Sequence, residues 1–171
     1  MASLTIDHGI KLAVEAAQSQ EKSSSEADKI RDSVWPFIAG RGLDVGSGYG
    51  PVLPEAIAID RRPHSQVDWV HEATEPLDPI PDGWCDYVFS SHLVEHLRDP
   101  KAAIALWCRK VRPGGYLILV APDQRYTTPN PEHVHRHLTP ALLRAIAPAD
   151  WREVLREQAK FDYSILLVLQ R

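Results

Sequence analysis

Cysteine is scarce in this chain. Two residues, Cys85 and Cys108, cannot build a disulfide framework, and the simplest reading is a pair of reduced, buried thiols. A reducing compartment, the cytoplasm, follows as the expectation. Long apolar runs are missing too. No stretch approaches the ~18 residues of a membrane-spanning helix, and the first residues lack the charged-then-apolar pattern of a secretory signal. Nor is there a surplus of positive charge. A formal net charge of −4 disfavours a nucleic-acid binder driven by phosphate neutralisation, so neither nucleic acid nor membrane is expected as a partner. Internal repeats and low-complexity linkers are also absent. What remains is a chain of 171 residues, 44% hydrophobic and 25% charged, which suits one soluble domain with a sizeable core and is too short for two.

Residues 8–17 admit a helix with Ile10, Leu12 and Val14 as its apolar positions, and the polar stretch 19–25 breaks it. Residues 1–25 are therefore set apart as an N-terminal segment, a helix or a lid, from a domain over 26–171. Residues 26–38 read as a helix with Ile30, Val34 and Phe37 or Ile38 on one face, ended or kinked at Pro36. Five short runs, 43–45, 56–59, 67–70, 87–90 and 116–121, read as buried parallel strands. Asp99 and Pro100 cap a helix over 101–111, which Pro113-Gly114-Gly115 stops. Thr139 and Pro140 repeat that capping pattern for a helix through Ile146, and 151–170 reads as two strands. Strands alternating with helices predict an α/β, doubly wound, mostly parallel sheet.

The densest signal is Gly42-Leu43-Asp44-Val45-Gly46-Ser47-Gly48-Tyr49-Gly50, a short strand that breaks into a glycine-rich turn. Such a turn lets backbone come close to a ligand. Its spacing is G-x-G-x-G; the third glycine of a dinucleotide fingerprint would fall at Pro51. Further on, Ala56-Ile57-Ala58-Ile59-Asp60 is a strand ending in a carboxylate, either a ribose-diol acceptor or a surface aspartate before Arg61-Arg62-Pro63. Glu72-Ala73 ends the next strand, and Ser90-Ser91-His92 the one after it.

In this order and register these segments, over roughly residues 40–170, resemble the class I S-adenosylmethionine-dependent methyltransferases. The resemblance implies a seven-stranded sheet with an antiparallel C-terminal hairpin, helices on both faces, and S-adenosyl-L-methionine as cofactor. It also implies roles. Asp44, Gly46, Ser47, Gly48 and Tyr49 would hold the methionine part, Asp60 the ribose, and Glu72 with Ala73 the adenine, unless Glu72 is merely a solvated loop residue. Ser90 and Ser91 would lie against the methionine part or the acceptor. One departure stands out. Family members commonly place a helix between the glycine turn and the second strand, whereas here residues 51–55, with two prolines, leave no room for one. The missing helix N-terminus would have favoured the methionine carboxylate, so a cation from the N-terminal segment, Lys11 or His8, is expected to substitute.

The resemblance implies methyl transfer to an oxygen or nitrogen of a small-molecule or sugar-like acceptor. An acceptor that must lose a proton needs a base, and histidine is the usual one near neutral pH. His92, His135 and His137 are the catalytic candidates, with His133 beside them, while His96 reads as a loop anchor or helix cap. His133-x-His135-x-His137 on an extended segment would put three rings on one side, as a metal site requires. No matching set of carboxylates accompanies them, Asp123 being the one candidate, and no metal is expected. The Asn/Asp-Pro-Pro-Tyr/Phe string of amino-group methylation and the Pro-Cys of cytosine C5 chemistry are both absent. Two alternatives stay open: a non-catalytic cofactor-binding or partner subunit, and a nucleotide-dependent oxidoreductase. With no inserted cap domain, the acceptor site is open, or is completed by residues 1–25 or by a second subunit in a homodimer.

Overall fold

A computed structural model describes residues 26–123, 125, 130–158 and 163–171. Seven strands form one sheet: β1 (Gly42–Val45), β2 (Ile57–Asp60), β3 (Trp69–Val70), β4 (Cys85–Ser91), β5 (Val111–Pro122), β6 (Arg152–Gln158) and β7 (Ser164–Gln170). Their order is β3-β2-β1-β4-β5-β7-β6. The first five are parallel; β7 runs antiparallel between β5 and β6, with Leu117 opposite Leu169 and Leu119 opposite Leu167. The strand order reverses between β1 and β4, and a crevice opens at such a reversal beyond the strands' carboxyl ends.

The central strands are apolar on both sides because both faces are covered. Ile118 and Val120 of β5 and Leu166 and Val168 of β7 meet Ile30 and Val34 of α1 (Glu26–Val34) on one face. The alternate residues Leu117, Leu119, Leu167 and Leu169 meet Ile104 and Trp107 of α2 (Pro100–Lys110) and Leu143 of α3 (Pro140–Ile146) on the other. Both predicted caps form. Asp99 accepts from the Ala102 N–H at 2.9 Å, and Thr139 Oγ1 from the Leu142 N–H at 3.3 Å. At the predicted kink, α1 gives way to a single 3-10 turn over Trp35–Phe37. Cys85 and Cys108 are buried free thiols, each pushed up to about 12 by burial, so neither is a ready nucleophile. Among the described residues no helix is long and apolar enough to cross a membrane.

The return from β1 to β2 contains no helix, as the two prolines predict. Instead, Val52 and Ala56 sink into the α1 face of the core. Arg31 of α1 donates from Nε to the Val52 carbonyl at 2.8 Å and from a terminal nitrogen to the Pro51 carbonyl at 3.5 Å. From below, Asp44 accepts the Val52 N–H at 2.6 Å. The stretch that replaces a helix is thus clamped between α1 and β1. Arg31→Met keeps the aliphatic stem and removes the donors. We expect a loss of about 1–2 kcal/mol in urea unfolding, with faster amide exchange confined to residues 50–56. Unchanged exchange there would show that the clamp is dispensable.

Candidate active site

A cleft of about 990 Å³ lies beyond the carboxyl ends of β1, β2 and β4. Its floor is the glycine turn. Gly46 adopts φ 77°, and a Cβ there would stand 2.7 Å from the Leu93 side chain. Its N–H and that of Ser47 both donate to the Ile59 carbonyl, at 2.8 and 3.2 Å, tying the turn to β2. Gly48, at φ 57°, has open space where a Cβ would project, so conformation and not crowding calls for glycine there.

Three acids are positioned around this floor in different ways. Asp60 ends β2; one carboxylate oxygen accepts the Gly48 N–H at 3.1 Å and the other the Arg62 N–H at 2.8 Å. Each oxygen keeps a further lone pair, so a half-buried carboxylate held this way can accept a vicinal diol. Glu72 is exposed at the rim, and Ala73 beside it is buried with its carbonyl bonded to the Trp107 indole N–H at 2.8 Å. Asp44 is 1% exposed. Burial pushes it up to about 7, against the lowering effect of the Val52 N–H, and the charge of Asp60 adds to the rise. Ser47 Oγ and Ser91 Oγ are buried in the cleft lining without a hydrogen-bond partner among the described residues. Orphaned hydroxyls, a poised carboxylate and a glycine turn together suit a ligand with sugar and amino-acid polar groups.

The far wall follows β4. His92 takes up a left-handed backbone, φ 51°, the sole positive φ among the described non-glycine residues. A strained backbone of this kind costs about 1 kcal/mol or more and is commonest at functional sites. Its ring Nε2 lies 3.1 Å from Ser164 Oγ, and Nδ1 faces a Glu95 oxygen 3.5 Å away. His96 also faces the cleft, with Nδ1 3.2 Å from the Glu132 carbonyl.

Nine of the predicted cofactor residues line this cleft, namely Asp44, Gly46, Ser47, Gly48, Tyr49, Asp60, Glu72, Ala73 and Ser91, and so does His92. Three candidates do not. Ser90 points into the sheet and donates to the Val45 carbonyl at 2.8 Å, because alternation along β4 sends it away from Ser91. His135 is spent on the Leu97 carbonyl at 2.8 Å, and His137 is exposed outside the cleft lining. The extended His-x-His-x-His segment is in fact a series of turns over 131–137, which scatters the three rings. Lys11 and His8 lie outside the described residues, as does the whole 1–25 segment; the cation seen against the turn is Arg31. Sequence reasoning passed over Glu95, whose side chain is fully buried beside His92 and His96. An acid directly after Leu93-Val94, where the flanking residues are apolar, was the available signal.

Residues 51–119 match the family model described as a methyltransferase domain; the match begins just past the glycine turn. No curated protein matches the chain significantly. Solved structures do. An S-adenosylmethionine-dependent methyltransferase from Archaeoglobus fulgidus is 18% identical with a TM-score of 0.67, over 90% of this chain and 98% of that one. Its counterpart from Aquifex aeolicus is 17% identical with a TM-score of 0.66, over 91% and 96%. A Burkholderia thailandensis 1,6-didemethyltoxoflavin-N1-methyltransferase, solved with that compound and S-adenosylhomocysteine, is 13% identical with a TM-score of 0.66, over 100% and 92%. The fold is that of the class I, Rossmann-like S-adenosylmethionine-dependent methyltransferases, as the resemblance implied. The family match spans residues 51–119, and the solved structures share the fold over nearly the whole chain.

Asp44 makes stability depend on pH in a defined direction. Its folded value of about 7 lies above the ordinary 3.8, so the native state holds the proton more tightly. The resulting stabilisation is complete below about pH 4 and is lost as pH rises through 7. Asp44→Asn keeps an acceptor for the Val52 N–H and abolishes the titration. Urea midpoints of the two proteins should coincide near pH 4 and separate toward pH 8, with the variant the more stable. Parallel pH profiles would refute the raised value.

Proposed function

We propose that this chain transfers the methyl group of S-adenosyl-L-methionine to an oxygen or nitrogen of a small-molecule or sugar-like acceptor. One observation carries the reading: a glycine-floored cleft, of a shape and polarity that suit a nucleoside and an amino-acid group, ends at a histidine held in a strained conformation with Nε2 against Ser164 Oγ and Nδ1 facing Glu95. The cofactor when bound supplies an electrophilic sulfonium methyl. The chain's own task is to align an acceptor with it and to remove a proton.

In this reading Asp60 takes the ribose hydroxyls and Glu72 with the Ala73 backbone takes the adenine. Asp44, Ser47 and the N–H groups of the glycine turn receive the methionine part. His92 is the acceptor-side base. Glu95 opposite Nδ1 favours the tautomer with the proton on that nitrogen, which leaves Nε2 to accept. Nε2 rests 3.1 Å from the buried Ser164 hydroxyl, so the ring exchanges that contact for the acceptor's proton. Leu93 and Leu97 supply an apolar wall between the two halves. The net charge of −4 favours a small acceptor over nucleic acid, and the two free thiols favour a reducing compartment such as the cytoplasm. Residues 26–171 form the catalytic domain in this scheme, with 1–25 as a separate segment.

Calorimetry and a homocysteine-release assay over a panel of hydroxyl and amine acceptors test the scheme. Asp60→Ala should weaken S-adenosylmethionine and S-adenosylhomocysteine binding about tenfold, since hydrogen bonds to a carboxylate are lost. His92→Asn suits the left-handed backbone. It should bind cofactor normally and lose about a hundredfold in turnover. Tight cofactor binding without turnover on any acceptor would favour the non-catalytic alternative. Full turnover in His92→Asn would remove His92 from the chemistry.

A further inference from the structure

Glu95 is chemically unfinished. Its side chain is 0% exposed, and neither carboxylate oxygen has a hydrogen-bond partner among the described residues. A bare buried carboxylate costs several kcal/mol, so it takes up either a proton or a cation. What surrounds it is imidazole. His92 Nδ1 lies 3.5 Å and His96 Nε2 3.9 Å from the same oxygen, and one ligand atom each from Glu95, His96 and His133 all fall within 4.8 Å of one another.

The His96 ring defines the problem further. Its Nδ1 lies 3.2 Å from the Glu132 carbonyl, which can only accept. A proton therefore sits on Nδ1, and in the neutral ring Nε2 presents a lone pair to the Glu95 carboxylate. Either a second proton on that nitrogen or a cation between the two groups satisfies both. An N–H bonded to a backbone carbonyl, with the other ring nitrogen bare, is also how proteins orient a metal-binding histidine. The third ring, His133, stands edge-on to His96 with centroids 4.9 Å apart.

We propose that Glu95, His96 and His133 bind one divalent transition-metal ion of the zinc type at the acceptor end of the cleft. Two imidazoles and a carboxylate match Zn²⁺ and its late first-row neighbours, and do not match Mg²⁺ or Ca²⁺, which prefer oxygen-only cages. Tetrahedral zinc with bonds of about 2.0–2.2 Å needs its ligand atoms about 3.3–3.5 Å apart. The present spacing, within 4.8 Å, is wider than that, so binding would draw the three side chains together. The site is held together by contacts that have no other evident purpose. The His135 N–H donates to the Glu95 carbonyl at 3.1 Å, and the His135 ring bonds the Leu97 carbonyl at 2.8 Å. These links staple the 131–137 turns, which carry His133, to the 3-10 turn Val94–His96. Three protein ligands leave a coordination position open. Because His96 lines the cleft, that position lies on the acceptor side, where a metal would lower the pKa of a bound hydroxyl. This last consequence rests on the methyl-transfer reading; the metal site does not.

The full chain, stripped with a chelator and dialysed, is titrated with Co²⁺ alone, followed by visible d–d absorption, and with Zn²⁺ alone by calorimetry. One equivalent should bind. His96→Ala and His133→Ala should each lose at least about tenfold in affinity while keeping the native circular dichroism, and His137→Ala should bind as the unaltered protein does. Absence of stoichiometric binding would overturn the site and leave a shared proton as the neutralising charge. Unchanged affinity in folded His96→Ala and His133→Ala would overturn it equally, placing the ion on other histidines. Neither result depends on turnover, so the methyl-transfer reading stands or falls separately.

Discussion

The 2.6 Å hydrogen bond from the Val52 N–H to the buried Asp44 carboxylate is the constraint on which the cofactor end of this molecule depends. A glycine turn followed by a helix has its exit direction set by the helix. Here the turn is followed by Pro51 and a short return to β2, and nothing regular holds it. Asp44 seizes the first amide after the proline, and Arg31 takes the carbonyls from the opposite side. That makes α1 part of the site's support although none of its residues lines the cleft. The N–H groups of Gly46 and Ser47 are meanwhile spent on β2. What the turn offers a ligand is therefore a fixed shape, a few side-chain hydroxyls and a carboxylate, with little help from a helix dipole.

The two ends of the cleft are built on different principles. The cofactor end is mostly backbone geometry, set by β1 and β2 and by glycine conformations. The opposite end is side-chain chemistry, set by the loop after β4 and by turns that arrive 36 to 38 residues later in the chain. His92 joins them. Its amide donates to the Val120 carbonyl of β5, so the strained residue is pinned by the sheet's own ladder, and its ring reaches Ser164 at the start of β7. Strain of this kind persists only where surroundings over-determine it, and here three strands do so.

Much of the cofactor end was legible in the sequence because its signals are local. Gly46 and Gly48 announce positive φ, and strand-end acids such as Asp60 follow from a periodic pattern. The caps at Asp99 and Thr139 were legible for the same reason. Ser90 shows where local reading fails: neighbouring serines on a strand look alike, yet alternation sends one to the cleft and the other to Val45. The acceptor end was hardest to read, since its contacts are between distant segments. Three histidines at even spacing suggested an extended ladder, whereas the turns over 131–137 turn only His133 toward Glu95. Glu95 drew no reading of its own, because its burial emerges only when β5, the 3-10 turn and the later turns close around it.

Asp44 lines the cleft and Glu95 stands behind its far wall, both fully buried, and neither has an arginine or lysine partner among the contacts described. For folding alone both are liabilities, because a buried charge without compensation is worse than an apolar residue of the same size. Arg31, Arg112 and Arg125 show that this chain can place a guanidinium against a polar group where stability asks for one. Leaving these two acids uncompensated therefore points to ligands and not to the fold. Under the proposed function the charge on the methionine part meets Asp44, and a metal ion or proton meets Glu95. The ligand-free protein would then hold its least comfortable groups where binding relieves them, and occupancy of the cleft would stabilise the domain as well as prepare it for chemistry.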